Sequence, residues 1–207
     1  MKFRKNVSLK NHTTFKIGGP AQYFFEAKTK EEIIEALRVA KKLRMSFFIL
    51  GEGSNILVSD KGFNGLVIKL NSSSYTLKAN KLYAEAGVSF ATLVRETGKR
   101  GLDGLEWAGG LPGTFGGAVF GNAGAFGGET KDNIIWVEAL DKKLKIRKFT
   151  KRQCVFSYRS SVFKKNGGIV LAAAMRLKKG DKKTLQAIAA SHIKQRKERG
   201  PLEYPNA

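Results

Sequence analysis

The 207-residue chain contains one cysteine, Cys154, and two histidines, His12 and His192. A single thiol excludes an intramolecular disulfide and a cysteine-rich metal site. Neither histidine has Cys, Asp or Glu at ligand spacing, so no metal is expected. No apolar stretch approaches the roughly 20 residues needed to span a bilayer. The opening MKFRKNVSLKNHTTF is basic but lacks the apolar core of a signal peptide. These absences predict a soluble cytoplasmic protein without membrane insertion. Acidic residues are scarce as well. Against 17 Asp+Glu stand 38 Lys+Arg, a formal net charge of +21. Half of those 38 lie between Lys142 and Arg199. Such a field favours anionic partners, and it equally describes a solvated basic face.

One segment has no charge at all. Between Trp107 and Gly128 there is no charged residue, and nine of the twenty residues 109–128 are glycine. Glycine loses the most entropy on folding, so such a run weakens helices and strands. It is tolerated where backbone approaches something closely or where φ is positive. Trp107, Phe115, Phe120 and Phe126 argue for packed order rather than a flexible linker. The run is therefore expected to be the floor of a site for a large, flat, anionic ligand. A close-packed turn or helix crossing is the competing account.

The remaining pattern predicts an α+β chain. Residues 23–27 read as a strand. Thr29-Lys-Glu-Glu32 is a capping box, followed by Ile33, Ile34, Leu37, Ala40 and Leu43 at helical spacing. Residues 46–50, 56–58 and 66–70 read as strands, with a turn at 60–65, so the first 70 residues form a β-α-β-β-β unit. A serine-rich loop at 71–75 opens a second region. There, residues 82–86 form a strand, and Ser89 caps a helix closed by Gly101. Residues 134–140 and 143–150 form a hairpin, and 169–177 another strand. Gly180-Asp181 starts a last helix, 182–199, whose Leu185, Ile188, Ala189 and Ile193 read as a core-facing stripe.

The motifs exclude several chemistries. Gly51-Glu52-Gly53-Ser54-Asn55 could form an anion-binding nest of N–H groups, or a structural turn. It is neither a dinucleotide fingerprint nor a Walker loop, because no third glycine and no Gly-Lys-Ser/Thr follow. No nucleophile elbow and no RNA- or DNA-reading pattern occurs. Arg159, in Tyr158-Arg159-Ser160-Ser161, could pair with a carboxylate or phosphate through its planar fork.

Four segments, taken in order, resemble one family. They are Asn11-His-Thr-Thr-Phe-Lys-Ile-Gly-Gly-Pro20, then Leu50-Gly-Glu-Gly-Ser-Asn-Ile-Leu57. Next comes Gly109-Gly-Leu-Pro-Gly-Thr-Phe-Gly-Gly-Ala118, continuing to Gly121-Asn-Ala-Gly-Ala-Phe-Gly127. The last is Phe156-Ser-Tyr-Arg-Ser-Ser-Val-Phe-Lys164. Together they are similar to the UDP-N-acetylenolpyruvoylglucosamine reductases, flavoenzymes of bacterial peptidoglycan precursor synthesis.

The resemblance implies two α/β subdomains of a vanillyl-alcohol-oxidase-type fold, with FAD between them and NADPH as co-substrate. Residues 1–70 would be the first FAD-binding subdomain and 71–200 the second. Residues 201–207 would begin a linker to a C-terminal substrate domain. It also implies cofactor contacts at Gly51, Glu52, Gly53, Ser54, Asn55, Ile56 and Leu57. In the second subdomain these would be Gly109, Gly110, Pro112, Gly113, Thr114, Gly116, Gly117 and Ala118, followed by Gly121, Asn122, Gly124, Gly127 and Ile169. Phe126, Tyr158 and Arg159 would bind the UDP-sugar, and Arg159 would be catalytic.

The family's proton-donating serine lies in a Gly-Ser-x-Phe-Lys-Asn-Pro motif that would begin after Ala207. By the resemblance this chain carries one of three catalytic roles and is catalytically incomplete, of the family's shorter subtype. The oligomeric state is not legible, and a monomer is the default. A stand-alone flavin or nucleotide module is the alternative. A nucleic-acid-binding protein, suggested by the charge alone, has no motif to support it.

Overall fold

The computed structural model describes residues 1–200. Residues 201–207, read above as the start of a linker, lie outside the described residues. Contacts cluster into two units, one covering Met1–Ser72 and the other beginning at Ser73.

The first unit is a four-stranded sheet with one helix. Its elements are β1 (Arg4–Ser8), β2 (Pro20–Ala27), α1 (Lys30–Lys42), β3 (Phe47–Leu50) and β4 (Phe63–Leu70), in sheet order β1-β2-β4-β3. α1 forms for the local reasons the sequence shows. Thr29 Oγ1 accepts from Glu32 N at 3.2 Å, and the Glu32 carboxylate accepts from Thr29 N, so both halves of the capping box are present. Ile33, Ala36, Leu37 and Ala40 are buried on the face turned to β2 and β4.

β3 and β4 are parallel neighbours. The chain must therefore run back the length of a strand between Leu50 and Phe63 before it can pair again. The expected strand at 56–58 lies on that return and is not a strand, since these residues pair with no neighbour in the sheet. Ile56 and Val58 are apolar because they pack on the cluster of Leu9, Phe24, Leu50 and Val67, not because they pair. The unit reads β-β-α-β-β rather than β-α-β-β-β. β1, unforeseen in the sequence, is an exposed edge strand whose Asn6 sits at φ +52.

The second unit is built on an antiparallel sheet. Its elements are β5 (Tyr75–Lys78), β6 (Lys81–Glu85), α2 (Phe90–Lys99), β7 (Leu102–Asp103), α3 (Phe115–Gly121), β8 (Gly124–Ala125) and β9 (Gly128–Glu129). There follow β10 (Ile134–Leu140), β11 (Ile146–Thr150), α4 (Val162–Asn166), β12 (Ile169–Arg176), β13 (Lys178–Lys179) and α5 (Lys182–Arg199). The main sheet runs β11-β10-β12-β6-β5. Seven of the eight residues of β12 are buried, as its unbroken apolar run requires of a central strand.

α3 packs on β12 and β6, so the glycine run is laid directly on the core. Part of the expected loop at 71–75 is the start of β5, another sheet edge. Asp181 caps α5 by accepting from Thr184 N at 2.8 Å. The core-facing stripe assigned to α5 is corrected. Only Leu185 is buried, while Ile188 and Ile193 are 36% and 40% exposed. Among the described residues no helix is long and apolar enough to cross a membrane.

Candidate functional site

The glycine run contains a short helix. Thr114 is its N-cap, and its hydroxyl accepts from Gly117 N at 3.3 Å. Phe115 N donates to Val88 O at 2.8 Å and Gly116 N to Ala86 O at 2.9 Å. These N–H groups are thus spent within the protein. Any role for Gly117 in holding a ligand rests on its bare Cα atom, not on donation.

Eight of the nine glycines in the run divide into two sets by what a side chain would meet. A Cβ at Gly116 would lie 2.4 Å from the Ala86 Cβ, one at Gly109 2.4 Å from Ala189 O, and one at Gly128 2.3 Å from the Trp107 ring. At Gly110 it would meet Arg196 at 3.1 Å. At Gly124 it would meet Glu129 Cγ and Gly128 O at 3.0 Å, so the chain's own parts crowd all five. At Gly121 and Gly127 nothing lies within 4 Å, and at Gly117 only the Thr114 hydroxyl at 3.4 Å. These three present bare backbone outward. Pro112 is exposed, while Gly113, Thr114, Ala118 and Ile169 are buried.

A cavity of about 200 Å³ lies where the run ends. It is lined by Asn122, Gly124, Ala125, Phe126, Gly127, Gly128, Glu129, Tyr158 and Arg159. All three residues expected to bind the UDP-sugar are on this wall, brought together from two distant stretches. Tyr158 and Arg159 occupy a tight turn closed by Ser160 N to Ser157 O at 3.1 Å and Ser157 N to Ser160 O at 3.0 Å. Arg159 has φ +51, a left-handed conformation that is uncommon for a residue with a Cβ. Tyr158 is 82% exposed, and the Arg159 guanidinium lies 5.9 Å from its ring centroid. Lys164 Nζ donates to Arg159 O at 3.2 Å.

Glu129 and His192 complete the surroundings and were not foreseen. Glu129 pairs with Lys131 and accepts from Asn122 Nδ2 at 3.0 Å. Lys131 first, then Asn122, and more weakly Arg159, hold its carboxyl below the usual carboxylate range. In sequence, Glu129 is only the first charge after the glycine run. Phe126, at φ +49, stacks flat on His192, with ring centroids 3.9 Å apart and planes at 5°. His192 Nδ1 lies 3.1 Å from Glu106 O, which places the ring proton on Nδ1. No sequence signal links these positions, which lie on separate elements. Cys154 is buried, which pushes its thiol up to about 12 and makes it inert as a nucleophile.

In the first unit, the Gly51–Leu57 turn opens the return from β3 to β4. Gly53 has φ +71, and a Cβ there would lie 2.1 Å from His12 O. Gly53 O accepts from Thr14 N at 3.2 Å, so two of the recognisable segments are packed together. Glu52, Asn55 and Leu57 are exposed, whereas Gly51, Ser54 and Ile56 are half-buried. Among the described residues, Thr14 Oγ1 is buried without a hydrogen-bond partner.

A family model for an FAD binding domain matches residues 21–150. A BBE-like protein from Arabidopsis thaliana shares the fold at TM-score 0.64 and 17% identity, over 86% of this chain and 39% of its own. Fold and match define the class: an FAD-binding protein of the vanillyl-alcohol-oxidase type.

Closer relatives narrow this. UDP-N-acetylenolpyruvoylglucosamine reductase of Clostridium novyi is 39% identical over 205 residues, 99% of this chain and 67% of the relative. The crystal structure of UDP-N-acetylenolpyruvylglucosamine reductase from Thermus caldophilus superposes at TM-score 0.82 with 32% identity, covering 97% of this chain and 71% of that one. The chain belongs to the UDP-N-acetylenolpyruvoylglucosamine reductase family. It is the FAD-binding portion of such an enzyme, an FAD-containing oxidoreductase. The residues present fit that group. Bare backbone faces open space at Gly117, Gly121 and Gly127, and an unpaired hydroxyl, Thr14 Oγ1, lies beside the Gly53 turn.

Proposed function

We propose that this chain holds FAD and presents UDP-N-acetylenolpyruvoylglucosamine to Arg159, in the reductive step that makes UDP-N-acetylmuramate for peptidoglycan. The proposed cofactor-holding residues are Gly51 to Leu57 in the first unit, with Gly117, Gly121 and Gly127 carrying the bare surface in the second and Gly124 beside them. Gly109, Gly110, Gly113, Gly116, Ala118 and Ile169 shape that surface from beneath. When bound, FAD supplies hydride chemistry, with NADPH as the proposed source of the hydride.

The observation that carries the reading is the cavity wall on which Phe126, Tyr158 and Arg159 meet beside the glycine run. A guanidinium stays charged throughout the working pH range. Fixed beside an enolpyruvyl group, it would favour the negative charge that develops on the carboxylate-bearing carbon and its carboxylate oxygens when hydride is added to the CH2 carbon. The nearby Glu129 does not cancel it, because that carboxylate is paired with Lys131. Tyr158 and Phe126 offer flat apolar faces to a sugar or base. The reading includes a monomeric, cytoplasmic protein without a specific nucleic-acid partner. The +21 charge suits FAD, NADPH and a UDP-sugar, all of them anionic.

The test is direct. The purified chain is expected to be yellow or to take up FAD, and excess FAD at about 100 times its Kd should stabilise it by about 2.7 kcal/mol. Arg159→Ala should keep the flavin, read from its absorbance, while weakening UDP-N-acetylenolpyruvoylglucosamine binding tenfold or more, read by titration calorimetry. Colourless protein indifferent to added FAD overturns the reading, and so does an Arg159→Ala variant that loses flavin but binds the UDP-sugar normally.

A further inference from the structure

We infer that Asn122 is a positioning residue, acting on the UDP-sugar by tying the Tyr158–Arg159 turn to the end of α3 rather than by touching FAD. The inference rests on the reading of Arg159 given above.

Asn122 is the C-cap of α3, at φ +44 and only 1% exposed. A primary amide has two N–H bonds to give. Asn122 Nδ2 donates to Glu129 Oε2 at 3.0 Å and to Ser157 O at 3.0 Å. Both are thus taken, and Oδ1 accepts from Lys131 N at 3.0 Å. No donor is left for a cofactor. The family resemblance implies a cofactor contact at this residue; the hydrogen bonds assign its amide to the protein.

The partner that matters is Ser157 O. The same oxygen accepts from Ser160 N and closes the turn that carries Tyr158 and Arg159. A second tie lies just beyond the turn. The Ser161 hydroxyl, fully buried, donates to Phe120 O at 2.6 Å. The turn is therefore suspended from the last residues of α3 at both ends, by Asn122 before it and Ser161 after it.

The need for such ties is local. Arg159 is exposed, its φ of +51 is unfavourable for a residue with a Cβ, and the turn closes over only two residues. Left alone, such a turn would sample other conformations and carry the guanidinium with it. A displacement of about 1 Å in a positioning group is enough to matter for a bound, reacting substrate. Asn122 also reaches Glu129, so one buried amide sets both the cation and the anion of the cavity wall.

The test uses the full chain loaded with FAD, in two variants. Asn122→Gly keeps the left-handed cap without strain and removes the tie. Ser161→Ala removes the other tie and carries the same comparison if Asn122→Gly does not fold. Amide hydrogen exchange at Ser157 and Ser160 is expected to rise tenfold or more, with Val137 and Ala173 in the central strands unchanged and flavin content retained. The Kd for UDP-N-acetylenolpyruvoylglucosamine should rise tenfold or more. In an Arg159→Ala background the same substitution should add less than twofold, because a positioning residue acts through the group it positions.

Unchanged exchange at Ser157 and Ser160 overturns the inference. So does a loss that remains tenfold in the Arg159→Ala background. If exchange rises in Asn122→Gly but Arg159→Ala alone leaves the Kd unchanged, the anchor stands and the substrate role of Arg159 is what fails.

Discussion

Gly116 and Gly121 lie in the same short helix, yet their side-chain space differs completely. A Cβ at Gly116 would collide with Ala86 at 2.4 Å, whereas one at Gly121 would meet nothing within 4 Å. Gly116→Ala is therefore expected to destabilise the chain by about 1–3 kcal/mol through overpacking. Gly121→Ala should leave the flavin-free chain as stable or gain up to about 1 kcal/mol, since alanine favours a helix over glycine. It should nonetheless weaken FAD binding, because its methyl would stand on the proposed cofactor surface. Urea unfolding and flavin titration separate the two effects, and unchanged flavin affinity in Gly121→Ala would remove Gly121 from that surface. The density of glycine was legible in the sequence. Which glycine faces a ligand and which faces the chain was not, because the crowding atoms of Gly116 and Gly109 belong to Ala86 and Ala189.

Elements with strong local signals are found where the sequence puts them. α1 has its capping box, and α5 spans Lys182–Arg199 with Asp181 as its cap. The four two-residue strands β7, β8, β9 and β13 are too short to leave a pattern, and the two longer strands without a sequence signal, β1 and β5, are both sheet edges. Both carry polar and charged residues, which guard an edge against unwanted pairing and blur the alternation by which a strand is read. The opposite error occurred at Ile56 and Val58, where core packing imitated a strand, and at Ile188 and Ile193, where helical spacing imitated a core face.

The segment from β7 into the following 3-10 turn, Glu106–Ala108, carries a prediction of its own. Burial, and then the neighbouring Glu106 carboxyl, push the Asp103 carboxyl above the usual carboxylate range. The folded chain then holds a proton that the unfolded chain has already released. Stability should fall as pH rises from the ordinary Asp value, about 3.9, through the raised one, and the penalty is full above it. Asp103→Asn should accordingly melt slightly higher at pH 7, of order 1–2 °C given the partial exposure of the group. The difference should vanish once both states are protonated. An equal melting temperature at pH 7 would show that the Lys178 charge and the Gly104 N–H already compensate Asp103.

At the scale of the whole molecule, charge dominates. With a net +21 the folded chain repels itself, and salt shortens the Debye length from about 10 Å at 0.1 M to about 3 Å at 1 M. The melting temperature of the flavin-free chain is expected to rise by several degrees over that range, while FAD affinity falls. A melting temperature that drops with added salt would mean that local ion pairs, such as Arg4 with Glu26, outweigh the global repulsion. The chain's ligand class, its family and its well-capped helices were determined by the sequence alone, since motif order, charge and capping are local or additive properties. Only the tertiary structure decided which glycines are bare. It alone put Phe126, Glu129, Tyr158 and Arg159 on one wall and fastened the arginine turn to Asn122. Those juxtapositions depend on long-range packing of α3 on the sheet and on hydrogen bonds between residues some 35 positions apart, and no local pattern encodes them.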